Sequence, residues 1–526
     1  MAPQDSFRGG GAKSAVLKPW LGIIALIAAM SALRAVYAGF TDLRTDEAYY
    51  WTWSKENVLS FLDHPPMIAW FVRFGTAMFG DTSFGVRFAG LLAMLLTEVL
   101  LADIVWRVTR DLRASIVAVA MMEASLYYGM LMTKAGPDVP LVLFATAMAW
   151  ALVRLAESGD ARWWLAAGVF AGLAALSKFT IALLIPAVLA FALVPSWRGR
   201  WLRSPYPYAA AVIAVALFMP VVIWNVQHDW ASFRFQAVRA TSATVEHMWS
   251  LRTLGEFIGM QFGLVGFVLL PVVLTGVALT AWRGCRRREG VAVLLSTAVL
   301  VPFAYFLWKS LSLRVGDTWP TFIWPFGFAA TAINLAAMPK DGWSASFVAT
   351  SWRWARIAIV SGVAFVVAVM FYYLAAPFNL IGRTDPVGGE AGYRPLIERT
   401  EAELQKTGAT WIATTDYRTC AMLRFFFHDR VPVVQLNERG RYQGFRAPDM
   451  SLIAGHAGLY VAREPENNPG LTLWASIPAR REPLETVNRI WRGVVMDTYA
   501  IEKFSGWTPE LSPPKDSPLF GWRWLA

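Results

Sequence analysis

Charged residues are scarce in this 526-residue chain: Asp, Glu, Lys and Arg together make up 16% of it, against 56% hydrophobic. A soluble domain carries about a quarter charged residues, so the composition excludes one and predicts a polytopic membrane protein. Cysteine is scarcer still, and the two present, Cys285 and Cys420, cannot build a disulfide framework. There is no P-loop, no Gly-rich dinucleotide fingerprint and no nucleophile elbow. A nucleotide cofactor is therefore not expected. Acidic residues are outnumbered, 37 Asp and Glu against 48 Lys and Arg, for a net charge of +11. That surplus does not point to nucleic acid. Many Arg fall in short loops between apolar runs, where positive charge marks the cytoplasmic side.

What is abundant is apolar sequence, with 26 Trp, a good number of them near the ends of the runs, where an amphipathic ring suits the membrane interface. The basic N-terminal segment (Arg8, Lys13, Lys18) leads into a first span at about 20–40, which reads as an uncleaved signal-anchor. Further spans are expected at 84–105, 114–132, 139–155, 163–177, 180–195, 207–225, 257–281, 291–308, 320–337 and 356–376. The pair 163–177 and 180–195 is short, with Lys178 at its junction, as in a tilted or re-entrant segment. An amphipathic piece covers 67–79.

The basic loops around Arg107, Arg110, Arg113, Arg154, Arg162, Arg198, Arg200, Arg203, Arg283, Arg286, Arg287, Arg288, Lys340, Arg353 and Arg356 all fall on one side. The positive-inside rule makes that side cytoplasmic, together with the N-terminus. The two cysteines then lie on opposite sides of the membrane and do not pair. Residues 1–376 form the membrane domain. Residues 377–526 have no spanning run and read as a small extracytoplasmic α/β domain, with strands at 410–414, 431–435, 459–462 and 490–499 and a helix at 417–428.

The opposite loops hold the residues suited to chemistry. Asp46-Glu47 follows the first span, and Asp63-His64-Pro65-Pro66 lies on the same loop. Carboxylates beside a membrane span are costly unless wet, paired or used. One of them can serve as general base toward a hydroxyl while its neighbour tunes it; the plainer reading is a helix cap. Asp138, after the third span, is a second acid or a cap for the fourth span. Arg44, Lys134, Lys178, Arg234 and Arg314 are candidate cations for a phosphate, although a snorkelling lysine or a solvated arginine explains such residues equally. Asp63, His64 and His228 are oxygen and nitrogen donors that could share a divalent metal (Zn, Mg or Mn), at a spacing that matches no known zinc pattern. Acids and cations gathered at a membrane surface suit a substrate with an anionic phosphate and a lipid tail.

The first loop, from Arg44 to Trp53 and through Leu62-Asp63-His64-Pro65-Pro66-Met67, resembles the bacterial relatives of the dolichyl-phosphate-mannose protein mannosyltransferases. These belong to the GT-C superfamily of lipid-phosphate-sugar-dependent glycosyltransferases. The similarity extends to Gly136-Pro137-Asp138-Val139-Pro140, Leu176-Ser177-Lys178-Phe179-Thr180, Gln227-His228-Asp229-Trp230 and the segment from Asp416 to Phe427. The resemblance implies a polytopic α-helical GT-C fold of about eleven to thirteen transmembrane helices. It also implies inverting transfer of a sugar from a polyprenyl phosphate, outside the cytoplasm of a bacterial inner membrane. On this resemblance Asp46 is the base and Asp138 the second acid. The lipid A aminoarabinose transferases have an acid-Lys-Pro where this chain has Asp63-His64-Pro65, so His64 is a departure.

A lipid A or lipopolysaccharide-type glycolipid is the expected acceptor. Protein O-mannosylation and a flippase for a polyprenyl-linked sugar are the alternatives. A transporter places ionisable groups near the bilayer midplane, often in paired repeats; here they gather at one face and no repeat is evident. No residue of the C-terminal domain has a catalytic look.

Overall fold

A computed structural model describes residues 11–241, 250–428, 430–436, 438–442, 444–464 and 480–506. Arg8 of the basic N-terminal segment lies outside the described residues, as do the side chains of Lys13 and Lys18. Among the described residues, six helices are long and apolar enough to cross a membrane: Leu21–Phe40, Ser83–Thr109, Asp138–Ser158, Tyr206–Gln227, Gly290–Ser310 and Ala345–Ala375. Two expected spans are broken instead of straight. Leu112–Glu123 and Leu126–Thr133 meet at 77°, and Leu251–Val265 and Leu269–Arg287 at 97°. The second break falls at Gly266, whose φ of 129° suits a residue without a Cβ.

Three more expected spans are shorter apolar helices: Trp163–Ala175, Phe179–Ala192 and Thr321–Ala337. A 13-residue helix reaches only about 20 Å, less than a hydrocarbon core of about 30 Å. The interruption between the first two comes at Lys178, whose extended backbone (φ −160°, ψ 141°) ends the helical run. Met67–Phe79 is a helix, as its pattern predicts, and it lies tightly against Ser83–Thr109. A Cβ on Gly75 would sit 2.1 Å from the carbonyl oxygen of Gly85. One ion cluster lies within the bundle. Arg34 donates to Glu98, to Glu123 at 3.0 Å and to the Tyr128 carbonyl at 3.1 Å. It thereby ties the first two long helices to the first broken one.

The C-terminal domain follows the helix that ends at Ala375. Its described residues hold five strands, β1 (Trp411–Thr414), β2 (Val433–Gln435), β3 (Gly458–Glu464), β4 (Arg480–Trp491) and β5 (Val494–Ser505), in the order β2-β1-β3-β5-β4. β1 pairs in parallel with β2 and β3; β3–β5 and β4–β5 are antiparallel. The expected strand at 490–499 is instead the tip of the β4–β5 hairpin. Arg492 (φ 47°) and Gly493 (φ 79°) make a two-residue turn with both φ positive, the geometry that matches strand twist in a tight hairpin.

The helix Tyr417–Phe427, between β1 and β2, lies on the helix Thr45–Ser54 of the first loop. Trp51 meets Phe425 edge-on at 5.2 Å, and Tyr49 packs on Tyr417 at 5.0 Å. Ala48, Trp53, Ala421 and Leu423 belong to the same buried cluster. The domain is thus docked on the loop that carries the Asp-Glu pair. Cys420 is buried in this helix and Cys285 is exposed in the membrane domain, both as free thiols.

Candidate active site

Asp46 and Glu47 open the same helix, one residue apart, so their side chains leave it about 100° apart. They therefore meet different neighbours. Glu47 is fully buried. Its Oε1 accepts from Arg87 Nε (2.8 Å) and Ala135 N (2.9 Å); its Oε2 accepts from Arg87 Nη2 (2.6 Å) and Arg44 N (3.1 Å). Arg87 also donates to the carbonyls of Ala38, Thr41 and Asp42. Burial alone pushes the Glu47 carboxyl up, but Arg87, and then Arg44, outweigh it and hold it below its ordinary value. The expected catalytic role of Glu47 meets a carboxylate whose two oxygens are both taken up by the fold. Every lone pair is directed at the fold, and the residue staples the first loop to two helices and to the Ala135 loop.

Asp46 faces the other way and keeps a third of its side chain exposed. Oδ2 lies 3.4 Å from Lys134 Nζ, and Oδ1 lies 3.5 Å from the Tyr417 hydroxyl. Lys134 is shared with Glu390 at 2.7 Å. Arg418 Nε donates to the Tyr417 oxygen at 3.3 Å. Burial raises the Asp46 pKa, but the Lys134 and Arg418 cations lower it by more, so the carboxyl stays ionised. Arg44 is buried, with Nη2 3.4 Å from the Tyr37 hydroxyl; it supports this cluster from behind.

A second cluster lies beside it. Asp63 accepts from the Tyr49 hydroxyl at 2.8 Å and from Arg441 Nη1. Met67 N donates to Leu176 O at 3.1 Å, which holds the Asp63-His64 loop against the Lys178 junction. Lys178 is paired with Asp138 at 2.7 Å, both buried, and Asp138 Oδ2 accepts from Thr318 Oγ1 at 3.1 Å. Burial pushes the His64 imidazole well below its ordinary pKa, and Lys178, Arg239 and Arg441 push it further the same way. His64 is therefore neutral at pH 7, facing three cations. Tyr50 joins the clusters: it is one helical turn after Asp46, and its phenol is kept protonated by burial and by the carboxylates of Asp46, Asp63 and Asp138.

Two of the expected cations do not join these clusters. Arg234 is exposed on the helix Ala231–Thr241, and Arg239, five residues on, is the one beside His64. Arg314 is a surface residue, 3.9 Å from Glu256. The expected metal donors do not converge either. Both Asp63 oxygens are engaged, and His228 Nδ1 is turned back to the Trp224 carbonyl at 2.7 Å with its ring stacked on Trp224. Among the described residues no three His, Cys, Asp or Glu side chains form a cluster fit for a metal ion.

The C-terminal domain supplies residues that sequence reasoning passed over: Glu390, Tyr417, Arg418, Glu438 and Arg441. Arg441 bridges Asp63 and Glu438 and lies 4.3 Å above the Tyr417 ring. The sequence offers no catalytic-looking residue in this domain, yet its side chains reach the Asp46 and Asp63 clusters. Replacing Arg441 with Gln leaves Asp63 buried without its cation, at a cost of about 3 kcal/mol. The expected result is faster proteolytic release of the C-terminal domain, cut in the linker after Ala375. An unchanged cleavage rate would count against this anchor.

Residues 63–224 match the family of dolichyl-phosphate-mannose-protein mannosyltransferases. The structure superposes on ArnT from Cupriavidus metallidurans bound to undecaprenyl phosphate. The TM-score is 0.59 at 16% identity, over 93% of this chain and 99% of that one. The chain has a GT-C fold. In sequence it is 25% identical over 344 residues to the lipid A galacturonosyltransferase RgtD of Rhizobium johnstonii, covering 59% of this chain and 68% of that protein. It is 28% identical over 291 residues to the undecaprenyl phosphate-α-4-amino-4-deoxy-L-arabinose arabinosyl transferase of Pseudomonas aeruginosa, covering 51% of this chain and 48% of that one. The chain thus spans about half the length of the aminoarabinose transferases it matches. The expected resemblance to bacterial polyprenyl-phosphate-dependent glycosyltransferases is matched by these similarities in sequence and fold.

Proposed function

We propose that this chain is an inverting glycosyltransferase that moves a sugar from a polyprenyl phosphate to a lipid A or lipopolysaccharide-type glycolipid. Its setting is the periplasmic face of a bacterial inner membrane. One observation carries the reading. Asp46 is a partly exposed carboxylate, held ionised beside a cluster rich in cations, where the membrane domain meets the C-terminal domain. The relatives named above, a lipid A galacturonosyltransferase and an undecaprenyl phosphate-aminoarabinose transferase, support the donor and acceptor classes. The basic loops opposite the site support the orientation.

Asp46 accepts the proton of an acceptor hydroxyl as its oxygen attacks the anomeric carbon from the face opposite the phosphate. The carbon–oxygen bond to the phosphate breaks and the polyprenyl phosphate departs with the electron pair, inverting the anomeric centre. Lys178, Arg239 and Arg441, the cations that act on His64, stabilise the departing phosphate charge in this reading. Asp138 positions Lys178, and Thr318 holds Asp138. Tyr49 and Tyr50 stay protonated and offer hydrogen bonds, not bases.

Mass spectrometry of envelope lipids and glycoproteins, from cells with and without the gene, tests this reading. The expected result is loss of one sugar increment from a glycolipid, with build-up of the sugar-charged polyprenyl phosphate. Loss from a protein instead would move the acceptor assignment to protein. No change in any glycolipid or glycoprotein would overturn the transferase reading.

A further inference from the structure

One residue of the C-terminal domain reaches Asp46 through an intermediary. Glu390 lies just before the helix Arg394–Thr407, in a loop that the sheet grips on both sides. Arg489 of β4, buried, donates to the carbonyls of Gly388 (2.7 Å), Gly389 (3.2 Å) and Ala391. Asp385 holds the start of the same loop by accepting from Val387 N at 2.8 Å and Gly388 N at 2.9 Å. Glu390 is thereby presented to Lys134, from whose ammonium it accepts at 2.7 Å. The same ammonium lies 3.4 Å from Asp46 Oδ2, longer than the about 2.7–2.9 Å of a closed charge-assisted bond. The other groups around Asp46 are Tyr50, Tyr417 and Arg418; those around Lys134 are Arg44 and Glu390.

We propose that Glu390 is a positioning residue that draws the Lys134 ammonium off Asp46, so that the base is armed only while the C-terminal domain is docked. The inference rests on the reading of Asp46 as the base of a polyprenyl-phosphate-dependent transferase, and it adds how that base is controlled. Lys134 stands between two carboxylates, and the shorter contact goes to Glu390. With the Glu390 charge gone, Asp46 is the carboxylate left to pair with it. A closed pair would engage an Asp46 oxygen and make the carboxylate a weaker base. Burial raises the Asp46 pKa; of the cations that oppose it, Lys134 acts most strongly and Arg418 next. The position of Lys134 therefore has the most leverage on the base. A docked domain leaves Asp46 free to take a proton, and a lifted one lets Lys134 close on it.

Carbodiimide labelling of Asp46, read by mass spectrometry on the purified full-length protein, tests this without any substrate. The reagent takes the protonated carboxyl, so the labelling rate near pH 5 follows the proton affinity of Asp46. Glu390→Gln is expected to lower that rate roughly 3- to 10-fold, and Glu390→Asp to lower it less. Lys134→Met should raise it. Glu390→Gln added to Lys134→Met should change nothing further, because Glu390 acts through Lys134. A loosened fold would expose Asp46 and raise its labelling, the opposite sign. An unchanged or raised rate in Glu390→Gln, or a further change in the Lys134→Met background, would overturn the positioning role. Transfer is read with the sugar-charged polyprenyl phosphate that builds up in cells lacking the gene. Glu390→Gln should slow single-turnover transfer to lipid A by roughly 10- to 100-fold, with affinity for undecaprenyl phosphate within about threefold of the wild type. A parallel loss of undecaprenyl phosphate binding would place Glu390 in donor binding and overturn the proposal. A wild type that neither binds undecaprenyl phosphate nor transfers sugar would overturn the transferase reading, while the hold of Glu390 on Lys134 is judged by labelling alone.

Discussion

Asp46→Asn is expected to cut sugar transfer by roughly 100- to 10,000-fold, the usual contribution of a positioned general base, while donor affinity changes little. The substitution is nearly isosteric. It removes one negative charge from between Lys134 and Arg418, so the local repulsion rises but no buried carboxylate is stranded. Single-turnover transfer with purified protein, paired with a donor-binding titration, reads the two effects separately. Near-normal transfer by Asp46→Asn would remove Asp46 from the chemistry.

The pH profile carries a second, signed test of the same residue. Asp46 is depressed below its ordinary value by Lys134 and Arg418 acting against burial. The base is therefore fully ionised at neutral pH, and the acid limb of kcat/KM should lie below about pH 4, the ordinary aspartate value. Stability obeys the same linkage: what Asp46 contributes is present above its unfolded pKa and is lost as pH falls through the lower folded one. Lys134→Met takes away the cation that acts most strongly on Asp46, leaves burial less opposed, and should move the limb toward neutral pH. A base this acidic takes up its proton late, once bond formation at the anomeric carbon has made the hydroxyl proton acidic.

Local sequence made much of this legible, and distance hid the rest. Apolar runs located the helices because hydropathy needs only consecutive residues, and the period of Met67–Phe79 gave its helix to the residue. The same runs did not show that two spans are bent or that three are short, since a break depends on single residues such as Gly266 and Lys178. Asp46 stood out as a carboxylate beside a membrane. Glu47 looked equivalent to it, because only the helical rotation between neighbours separates a partly exposed carboxylate from a buried one. Arg418 and Arg441 were invisible as site residues. Arg418 reaches the cluster only through Tyr417, 371 positions from Asp46, and Arg441 meets Asp63 across 378. The hairpin tip at Arg492-Gly493 lacks the Asn-Gly or Asp-Gly signature and read as continuous strand.

Glu47 and Arg87 carry the largest expected effect on the fold. The pair is two parallel charge-assisted hydrogen bonds between side chains 0% and 2% exposed. Removing one partner of a buried pair strands the other charge and costs about 3–5 kcal/mol. Arg87→Met should therefore lower the melting midpoint in detergent by roughly 5–10 °C, because it leaves Glu47 without its cation and the Ala38, Thr41 and Asp42 carbonyls without a donor. Glu47→Gln should cost less, since the amide keeps an oxygen for Ala135 N or Arg87. The double substitution should be less harmful than the sum, as no charge is left alone. Activity gives the complementary reading. If Glu47 is a staple, Glu47→Gln protein that stays folded keeps the pH profile of the wild type and loses rate only as Asp46 and Lys134 drift apart. A folded Glu47→Gln variant with an acid limb moved as far as that of Lys134→Met would instead put Glu47 in the chemistry. The prediction separates two adjacent carboxylates by what each loss does: one stops the reaction in an intact fold, the other loosens the fold around an intact base.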